Sequence, residues 1–208
     1  MTEDHYFSAE PASAAERRSL TVELAGAVRE VDVASGIFSP GRLDPGTAVL
    51  LREVALPDKP GTYLDLGCGW GPIALSLGLA QPTADVWALD VNERALDLMR
   101  GNAARLGTDR VRSVRAEEVP VEVRFDEIWS NPPIRVGKQV LHDLLRAWLP
   151  RLSPTGVAHL VVQKNLGSDS LQTWIGTELS AEVEGGLRVE REANRKGFRV
   201  LRVMRTEA

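Results

Sequence analysis

The fold of this chain is decided by the stretch Leu64-Asp65-Leu66-Gly67-Cys68-Gly69-Trp70-Gly71-Pro72. Its first residues continue an apolar strand, and Pro72 suits the first turn of a helix because its missing N–H would have no partner within the helix. Three glycines at alternate positions join the two elements, and glycines let a backbone turn sharply and approach a ligand closely. A plain strand-to-helix turn does not need so many. The stretch therefore predicts a ligand-binding turn between a strand and a helix of an α/β sheet.

Apolar runs and helical segments alternate after this turn. Strands are predicted at residues 63–66, 86–89, 111–114, 127–129 and 157–162, and helices at 73–80, 93–106 and 139–149. Residues 187–190 and 198–204 are two further strands whose connection is too short for a helical crossover. We therefore expect a Rossmann-like, doubly wound and mostly parallel sheet of seven strands, with an antiparallel hairpin at its C-terminal end.

The first part of the chain has a different pattern. Alternating apolar residues at 20–34 predict a β-hairpin that turns near Gly26, followed by a loop at 36–41 and a helix at 45–56. We expect residues 1–56 to form an N-terminal extension that packs on a catalytic domain at 57–208.

The composition excludes several classes of protein. A net charge of -4 and a pI near 5.5 argue against a broad basic surface for nucleic acid. No apolar stretch is long enough to span a membrane, and the first ten residues lack the layout of a signal peptide. Cys68 is the only cysteine, so no internal disulfide forms and no metal cluster is expected. We expect a cytoplasmic protein that binds neither metal nor membrane.

Asp90 ends the strand that follows the glycine turn. A carboxylate at this position can accept hydrogen bonds from both hydroxyls of a ribose, and a surface cap is the alternative role. A dinucleotide would be an obvious ligand. The glycine spacing, however, is G-x-G-x-G, with Pro72 where the dinucleotide motif has its third glycine. A different nucleoside ligand is therefore favoured.

A second motif, Ser130-Asn131-Pro132-Pro133-Ile134, follows the strand predicted at 127–129. This placement puts it at the carboxyl edge of the sheet, where α/β proteins bind ligands. The two prolines stiffen the loop and remove two donors, so the surface is rich in acceptors. The Asn131 amide oxygen and the Pro132 carbonyl can accept the two N–H groups of an amine and favour charge on its nitrogen. A proline turn that merely ends the strand is the alternative.

The glycine motif resembles that of S-adenosylmethionine-dependent methyltransferases of the Rossmann-like class. The resemblance implies that Asp65 lies near the methionine part of this cofactor. It implies also that the turn, comprising Gly67, Cys68, Gly69 and Gly71, passes beneath the cofactor. Asp90 and the adjoining Val91 would then hold the ribose. Glu117, after the third strand of the domain, would contact the adenine; a solvated charge is the alternative.

The second motif resembles the Asn-Pro-Pro-aromatic signature of amino-methylating enzymes, with Ile134 in place of the aromatic residue. Ile134 offers an apolar face but no ring for stacking. The chain is also similar to the small-domain methyltransferase family, which includes ribosomal RNA guanine-N2 methyltransferases. The similar stretches are His5-Tyr6-Phe7-Ser8, Gly36-Ile37-Phe38-Ser39, Asp44-Pro45-Gly46-Thr47, Ile134-Arg135-Val136-Gly137-Lys138 and Val161-Val162-Gln163-Lys164. Some members carry a further N-terminal domain, and we expect this chain to correspond to the catalytic half.

The resemblance implies methylation of an exocyclic amine, with guanine N2 of ribosomal RNA as the leading hypothesis and either the RNA or a ribosomal particle as partner. Asn131, Pro132, Pro133 and Ile134 would form the catalytic loop, and Asn131 would also contact the cofactor. Phe38 would contact a flipped base or else belong to the core. Three cations, Arg135, Lys138 and Lys164, would meet phosphates or form a solvated face. The oligomeric state is not predicted.

Three alternatives stay open at this point. The same cofactor can serve a protein glutamine amide, adenine N6 or a small-molecule amine, because the acceptor pair fits any planar amino group. A non-catalytic cofactor-binding module in ribosome assembly is the second alternative. A nicotinamide-dependent oxidoreductase is the third, and Pro72 disfavours it.

Overall fold

The computed structural model describes residues 16–206 and comprises two compact units. Within that range, unit 1 contains residues 16–44 and 56–121, and unit 2 contains residues 45–55 and 122–206. The similar stretch at residues 5–8 lies outside the described residues. The domain boundary predicted after residue 56 stays a prediction.

Unit 1 begins with the predicted hairpin, formed by β1 (Arg17–Leu24) and β2 (Ala27–Ala34). The turn falls on Ala25 and Gly26, both of which have positive φ, at 49° and 75°. The rest of the unit contains three parallel strands in the order β5-β4-β3, which are β3 (Thr62–Leu66), β4 (Asp85–Leu89) and β5 (Val111–Val114). All but the first residue of β3 and β4 are buried, which explains their unbroken apolar runs.

Two helices of unit 1 follow β3 and β4. Helix α2 (Pro72–Ala80) is buried over its first seven residues and is therefore apolar on all sides. Helix α3 (Glu93–Leu106) is amphipathic; Asn92 caps its first turn by accepting from the N–H groups of Arg94 and Ala95, and Gly107 ends it at φ 67°. A short 3₁₀ helix, Ala116–Glu118, follows β5.

Unit 2 contains helix α1 (Pro45–Glu53) and four strands in the order β6-β7-β9-β8. The strands are β6 (Phe125–Ser130), β7 (Leu152–Gln163), β8 (Leu187–Arg195) and β9 (Phe198–Arg205). β6 runs parallel to β7, whereas β9 is antiparallel to both β7 and β8. The predicted C-terminal hairpin is therefore confirmed, and its second strand is the one that pairs with β7.

Four helical segments connect β7 to β8, and the sequence pattern did not predict them. They are a 3₁₀ helix (Lys164–Leu166), α5 (Ser168–Trp174), a π-helical segment (Ile175–Leu179) and α6 (Ser180–Glu182). Ser, Thr, Asp and Gly residues lower the helix propensity here. Burial of Leu171, Trp174, Ile175 and Leu179 stabilises the helical conformation despite that composition. The remaining helix, α4 (Lys138–Trp148), follows β6 as predicted.

Together the two units supply the seven strands of the predicted Rossmann-like, mostly parallel sheet with an antiparallel C-terminal hairpin, in addition to the N-terminal hairpin. The fold class is therefore confirmed. Among residues 16–206, no helix is long and apolar enough to cross a membrane.

Candidate active site

The glycine turn of unit 1 is held at the end of β4. The N–H groups of Gly67 and Cys68 both donate to the Leu89 carbonyl oxygen, at 2.8 Å each. Gly67 and Gly69 have φ of 87° and 55°, and a Cβ at either position would meet no atom within 4 Å. The left-handed backbone is therefore what requires glycine at these two positions. The space left beside the backbone is room in which a ligand can approach it closely.

Asp90 is fixed by two backbone donors at the end of β4. Its Oδ2 accepts from the Gly69 N–H at 2.8 Å, and its Oδ1 accepts from the Asn92 N–H at 2.9 Å. Burial raises the pKa of Asp90, and the bonds from Asn92, Gly69 and Val91 oppose the rise. Asn92, rather than Asp90, caps helix α3. A carboxylate has about four lone-pair sites, so the Asp90 oxygens can still accept from a ribose.

Asp65 is completely buried next to the turn. Its Oδ2 accepts from the Ala74 N–H at 2.9 Å, whereas Oδ1 has no hydrogen-bond partner among the described residues. Burial raises the pKa of Asp65 to about 8, and the nearby Asp90 charge adds to the rise. An unpartnered buried oxygen is costly. The position therefore fits a ligand that brings a cationic N–H donor, such as the ammonium of a methionine group.

Cys68 contributes its backbone to the turn, and its thiol is unreactive. Its side chain is buried, and burial raises the pKa of the thiol well above its usual value. The neutral Sγ lies 3.5 Å from the Gly69 carbonyl oxygen. Because the thiolate is the nucleophilic form, this cysteine is inert at neutral pH.

The remaining predicted residues of unit 1 are more exposed. Val91 is 46% exposed and Phe38 is 38% exposed, and Glu117 lies on the exposed 3₁₀ helix after β5. The loop before Phe38 is tied to α3, since Asn92 Nδ2 donates to the Gly36 carbonyl at 3.0 Å. The ligand-binding roles of Val91, Phe38 and Glu117 stay predictions.

Asn102 is a site-supporting residue that the sequence did not reveal. This fully buried side chain accepts from the Asp32 N–H at 2.7 Å and donates to the carbonyls of Asp32 and Trp70, at 3.0 and 3.1 Å. One amide thereby joins the N-terminal hairpin and α3 to the glycine turn, which contains Trp70. The partners are far apart in sequence, so no local pattern indicates the contact.

We expect Asn102→Ala to lower the free energy of unfolding by about 3 kcal/mol, because it removes three hydrogen bonds to backbone groups, one to the buried Trp70 and two to the part-buried Asp32. Asn102→Asp should be more damaging at neutral pH. Its second carboxylate oxygen would face the two carbonyl oxygens that now accept from Nδ2. Urea unfolding of the three proteins measures both effects. An alanine variant within about 0.5 kcal/mol of the wild type would contradict the assignment.

In unit 2, Asn131 directly follows strand β6. Its Nδ2 donates to the Thr47 hydroxyl oxygen at 3.1 Å, and Thr47 is a buried residue of α1 in the same unit. The Pro132 carbonyl accepts from the Ile134 N–H at 2.9 Å. A carbonyl oxygen has two lone pairs, so this turn does not exhaust it. The roles of Asn131 and Pro132 as acceptors for an amine stay predictions.

A cavity of about 170 Å³ begins where this loop ends. Its apolar lining includes Ile134, Leu141, Val162 and Leu166, and Lys138 and His142 also contribute to it. His142 stacks on Trp174 with ring centroids 3.5 Å apart, and burial lowers its pKa, so its ring is a neutral part of the wall. The volume exceeds the roughly 10–15 Å³ that one water needs and is below the roughly 300 Å³ of drug-sized pockets.

The predicted cations of unit 2 lie on three helical elements. Arg135 belongs to the 3₁₀ helix Ile134–Val136, and Lys138 is the first residue of α4. Lys164 begins the 3₁₀ helix Lys164–Leu166 after β7. Lys138 and Lys164 are exposed. Their contact with phosphates stays a prediction.

Comparison with known proteins identifies a family and several relatives of this chain. The family described as the methyltransferase small domain matches residues 29–202. The chain is 32% identical to the uncharacterized protein YbxB of Bacillus subtilis, over 80% of this chain and 85% of that protein. It is 33% identical to the ribosomal RNA small subunit methyltransferase C of Pseudomonas entomophila over 99% of its own length, but spans only 59% of that relative.

Solved structures show the same fold. A 16S rRNA N2 methyltransferase of T. thermophilus, in complex with AdoMet and guanosine, has a TM-score of 0.73 at 23% identity. The similarity covers 94% of this chain and 52% of that one. The M. jannaschii protein TYW2, also in complex with AdoMet, has a TM-score of 0.61 at 14% identity and covers 92% and 86% of the two chains.

Proposed function

This chain belongs to the methyltransferase small domain family and is an S-adenosylmethionine-dependent methyltransferase; from this premise we propose that it methylates the exocyclic N2 amine of a guanine in ribosomal RNA. The observation that carries the proposal is the Asn131 side chain, whose nitrogen is bonded to Thr47. We assign its oxygen, which is a hydrogen-bond acceptor, to the amine. Bound S-adenosylmethionine supplies a methyl group activated by a sulfonium centre.

Unit 2 performs the positioning in this reaction. An amine conjugated to a purine ring is a poor nucleophile because its lone pair is delocalised. Hydrogen bonds from its two N–H groups to Asn131 Oδ1 and the Pro132 carbonyl fix its orientation and stabilise positive charge as it builds on nitrogen. Pro133 keeps the loop rigid. The methylated, cationic amine loses its proton readily, so the loop needs no strong base.

Unit 1 holds the methyl donor in this proposal. Asp65 Oδ1 would accept from the ammonium of the methionine part, and Gly67, Cys68, Gly69 and Gly71 would lie beneath it. Asp90 and Val91 would contact the ribose, and Glu117 the adenine. The unpartnered buried oxygen of Asp65 and the open space at Gly67 and Gly69 support this arrangement.

Guanine in ribosomal RNA is favoured as the substrate by two findings. Relatives over most of the chain are named ribosomal RNA small subunit methyltransferases. The cavity next to Ile134 offers a base an apolar wall, and the exposed Lys138 and Lys164 lie on segments that adjoin it. Phe38 and Arg135 are further proposed contacts of the RNA, which is bound free or within a ribosomal particle.

The test uses purified protein, methyl-labelled S-adenosylmethionine, and ribosomal particles or RNA from cells that lack this gene. We expect labelled N2-methylguanosine after digestion to nucleosides. Labelled N6-methyladenosine, a labelled protein glutamine or a labelled small molecule would move the activity to one of the other amines. Cofactor binding with no label in any extract fraction would favour a non-catalytic binding module.

The raised pKa of Asp65 makes cofactor binding depend on pH. At a pKa of about 8 the free protein carries a protonated Asp65 at pH 7. An ammonium ligand binds the carboxylate form, so binding should release close to one proton at pH 7. Affinity for S-adenosylmethionine should therefore rise by up to about tenfold per pH unit below pH 8 and level off above it. Calorimetry in buffers of different ionisation enthalpy measures the proton count.

The matched control is Asp65→Asn, whose amide oxygen can still accept from Ala74 but does not titrate. We expect it to bind the cofactor more weakly and with little proton release. Asp90, whose pKa is also raised, is kept in both proteins, so the difference in proton release reports the titration of Asp65 together with its charge coupling to Asp90. Equal proton release by the two proteins would contradict the assignment to Asp65.

The raised pKa of Asp65 also makes the free energy of unfolding of the free protein fall as the pH rises. A carboxyl group whose folded pKa exceeds its unfolded value stabilises the fold fully below the unfolded value of about 4. That contribution of Asp65 is lost as the pH rises from about 4 to about 8.

A further inference from the structure

The Asn131 side chain is held by an element distant in sequence. The hydrogen bond from its Nδ2 to the Thr47 hydroxyl oxygen, at 3.1 Å, joins the loop after β6 to helix α1. Thr47 is only 3% exposed, so water cannot readily replace this partner. Both residues belong to unit 2, whose helix α1 packs on strands β7 and β9. The hydroxyl is therefore attached to the same rigid sheet as the loop.

The direction of this bond matters for the chemistry. An asparagine amide can be placed in two orientations that exchange its oxygen and nitrogen, and only the oxygen accepts hydrogen bonds. With Nδ2 donating to Thr47, Oδ1 is turned to the other side of the amide. A hydroxyl can also donate to an amide oxygen, so what the bond to Thr47 fixes is the position and plane of the amide. In the reverse orientation, the amide would present an NH₂ donor to the N–H of the incoming amine. That arrangement loses a hydrogen bond and sets two donors against each other.

We propose that Thr47 is a positioning residue, which holds the Asn131 amide in the position and plane in which its oxygen can accept from the amine. The inference rests on the proposed function, because it assigns Asn131 to the amine. Thr47 itself touches neither the cofactor nor the amine in this proposal. It acts by keeping the amide in this position and plane before the substrate arrives, which lowers the reorganisation needed for transfer.

Thr47→Val removes the hydroxyl and keeps the shape of the side chain. We expect kcat for RNA methylation to fall about tenfold, which is the effect of losing one neutral hydrogen bond. KM for RNA and Kd for S-adenosylmethionine should stay within about twofold, since Thr47 binds neither. Thr47→Ser restores the hydroxyl and should return kcat to near the wild-type value. Thr108→Val is the matched control, because Thr108 is a buried threonine of unit 1 whose hydroxyl donates to the Ala103 carbonyl oxygen of helix α3 at 3.3 Å.

A spectroscopic readout follows the amide directly. In a protein labelled with nitrogen-15, the side-chain NH₂ signals of Asn131 are identified by their loss in Asn131→Ala. They should shift and exchange faster with water in Thr47→Val, and stay near their wild-type positions in Thr47→Ser and Thr108→Val. Unshifted signals in Thr47→Val, an unchanged kcat, or no rescue by serine would each overturn the proposal.

The proposed methyl transfer and the proposed role of Thr47 can be tested separately. If wild-type protein methylates another amine, kcat is measured on that substrate and the same comparison decides the role of Thr47. If wild-type protein transfers no methyl group at all, the proposed function fails. The amide signals then decide alone: a shift in Thr47→Val shows that Thr47 orients Asn131, and its lack overturns the inference.

Discussion

Replacing Asn131 by alanine is expected to lower kcat by about 10²–10³-fold, the effect seen when one preorganised hydrogen-bonding group is removed from a developing charge. The variant keeps the backbone carbonyl of Pro132 but loses the side-chain oxygen that would orient the amine. Asn131 is part of unit 2, whereas Asp65, the glycine turn and Asp90 are part of unit 1. The Kd for S-adenosylmethionine should change by less than about threefold, because the variant leaves Asp65, the glycine turn and Asp90 unaltered and these residues make most of the proposed cofactor contacts.

Steady-state methylation of ribosomal RNA, combined with calorimetry of cofactor binding, measures both quantities. Asn194→Ala is the matched control, since Asn194 is an exposed asparagine on β8 of the same unit. It should retain wild-type kcat. An Asn131→Ala enzyme with more than half of the wild-type kcat would remove Asn131 from the reaction.

Much of the fold could be predicted because its signals are local. The buried strands β3 and β4 have unbroken apolar runs, and helix α3 has an amphipathic repeat between an asparagine cap and a glycine end. The C-terminal hairpin was evident from the short connection between β8 and β9. Segment α5 was missed because its helical conformation is stabilised by burial of Leu171 and Trp174 rather than by propensity.

The candidate site likewise has local features, which a sequence pattern indicates, and long-range contacts, which it does not. The glycine turn, Asp90 and the Asn131 loop were predictable, since each is a short motif at the end of a strand. The contacts that hold them are long-range: Asn102 bonds Asp32 and Trp70, and Thr47 bonds Asn131. Nothing in a single sequence pairs such positions. The pKa of Asp65 was likewise hidden, because it depends on complete burial rather than on residue type.

Gly71→Ala is the second substitution with a large expected effect, and its cause is packing as well as backbone conformation. Gly71 has a φ of 96°, and a Cβ there would lie 1.9 Å from Met99 Sδ on helix α3. Met99 is fully buried, so its side chain cannot move into solvent. Overpacking costs about 1–3 kcal/mol and a left-handed alanine about 1–2 kcal/mol. We expect the free energy of unfolding to fall by about 3 kcal/mol.

The packing contribution can be separated from the conformational one. Gly107→Ala has the same left-handed strain, at a φ of 67°, but its Cβ would meet no atom within 4 Å. It should therefore cost only about 1 kcal/mol in urea unfolding.

Met99→Ala alone creates a cavity, yet the Gly71→Ala/Met99→Ala pair should be less destabilised than the sum of its members, because the new methyl group occupies part of that cavity. If the two effects simply add, or if Gly71→Ala is no worse than Gly107→Ala, contact with Met99 is not what requires glycine at position 71. If instead the double variant is less destabilised than the sum of the single variants, Gly71 is required because helix α3 packs closely against the cofactor turn, in addition to any contact with the cofactor itself.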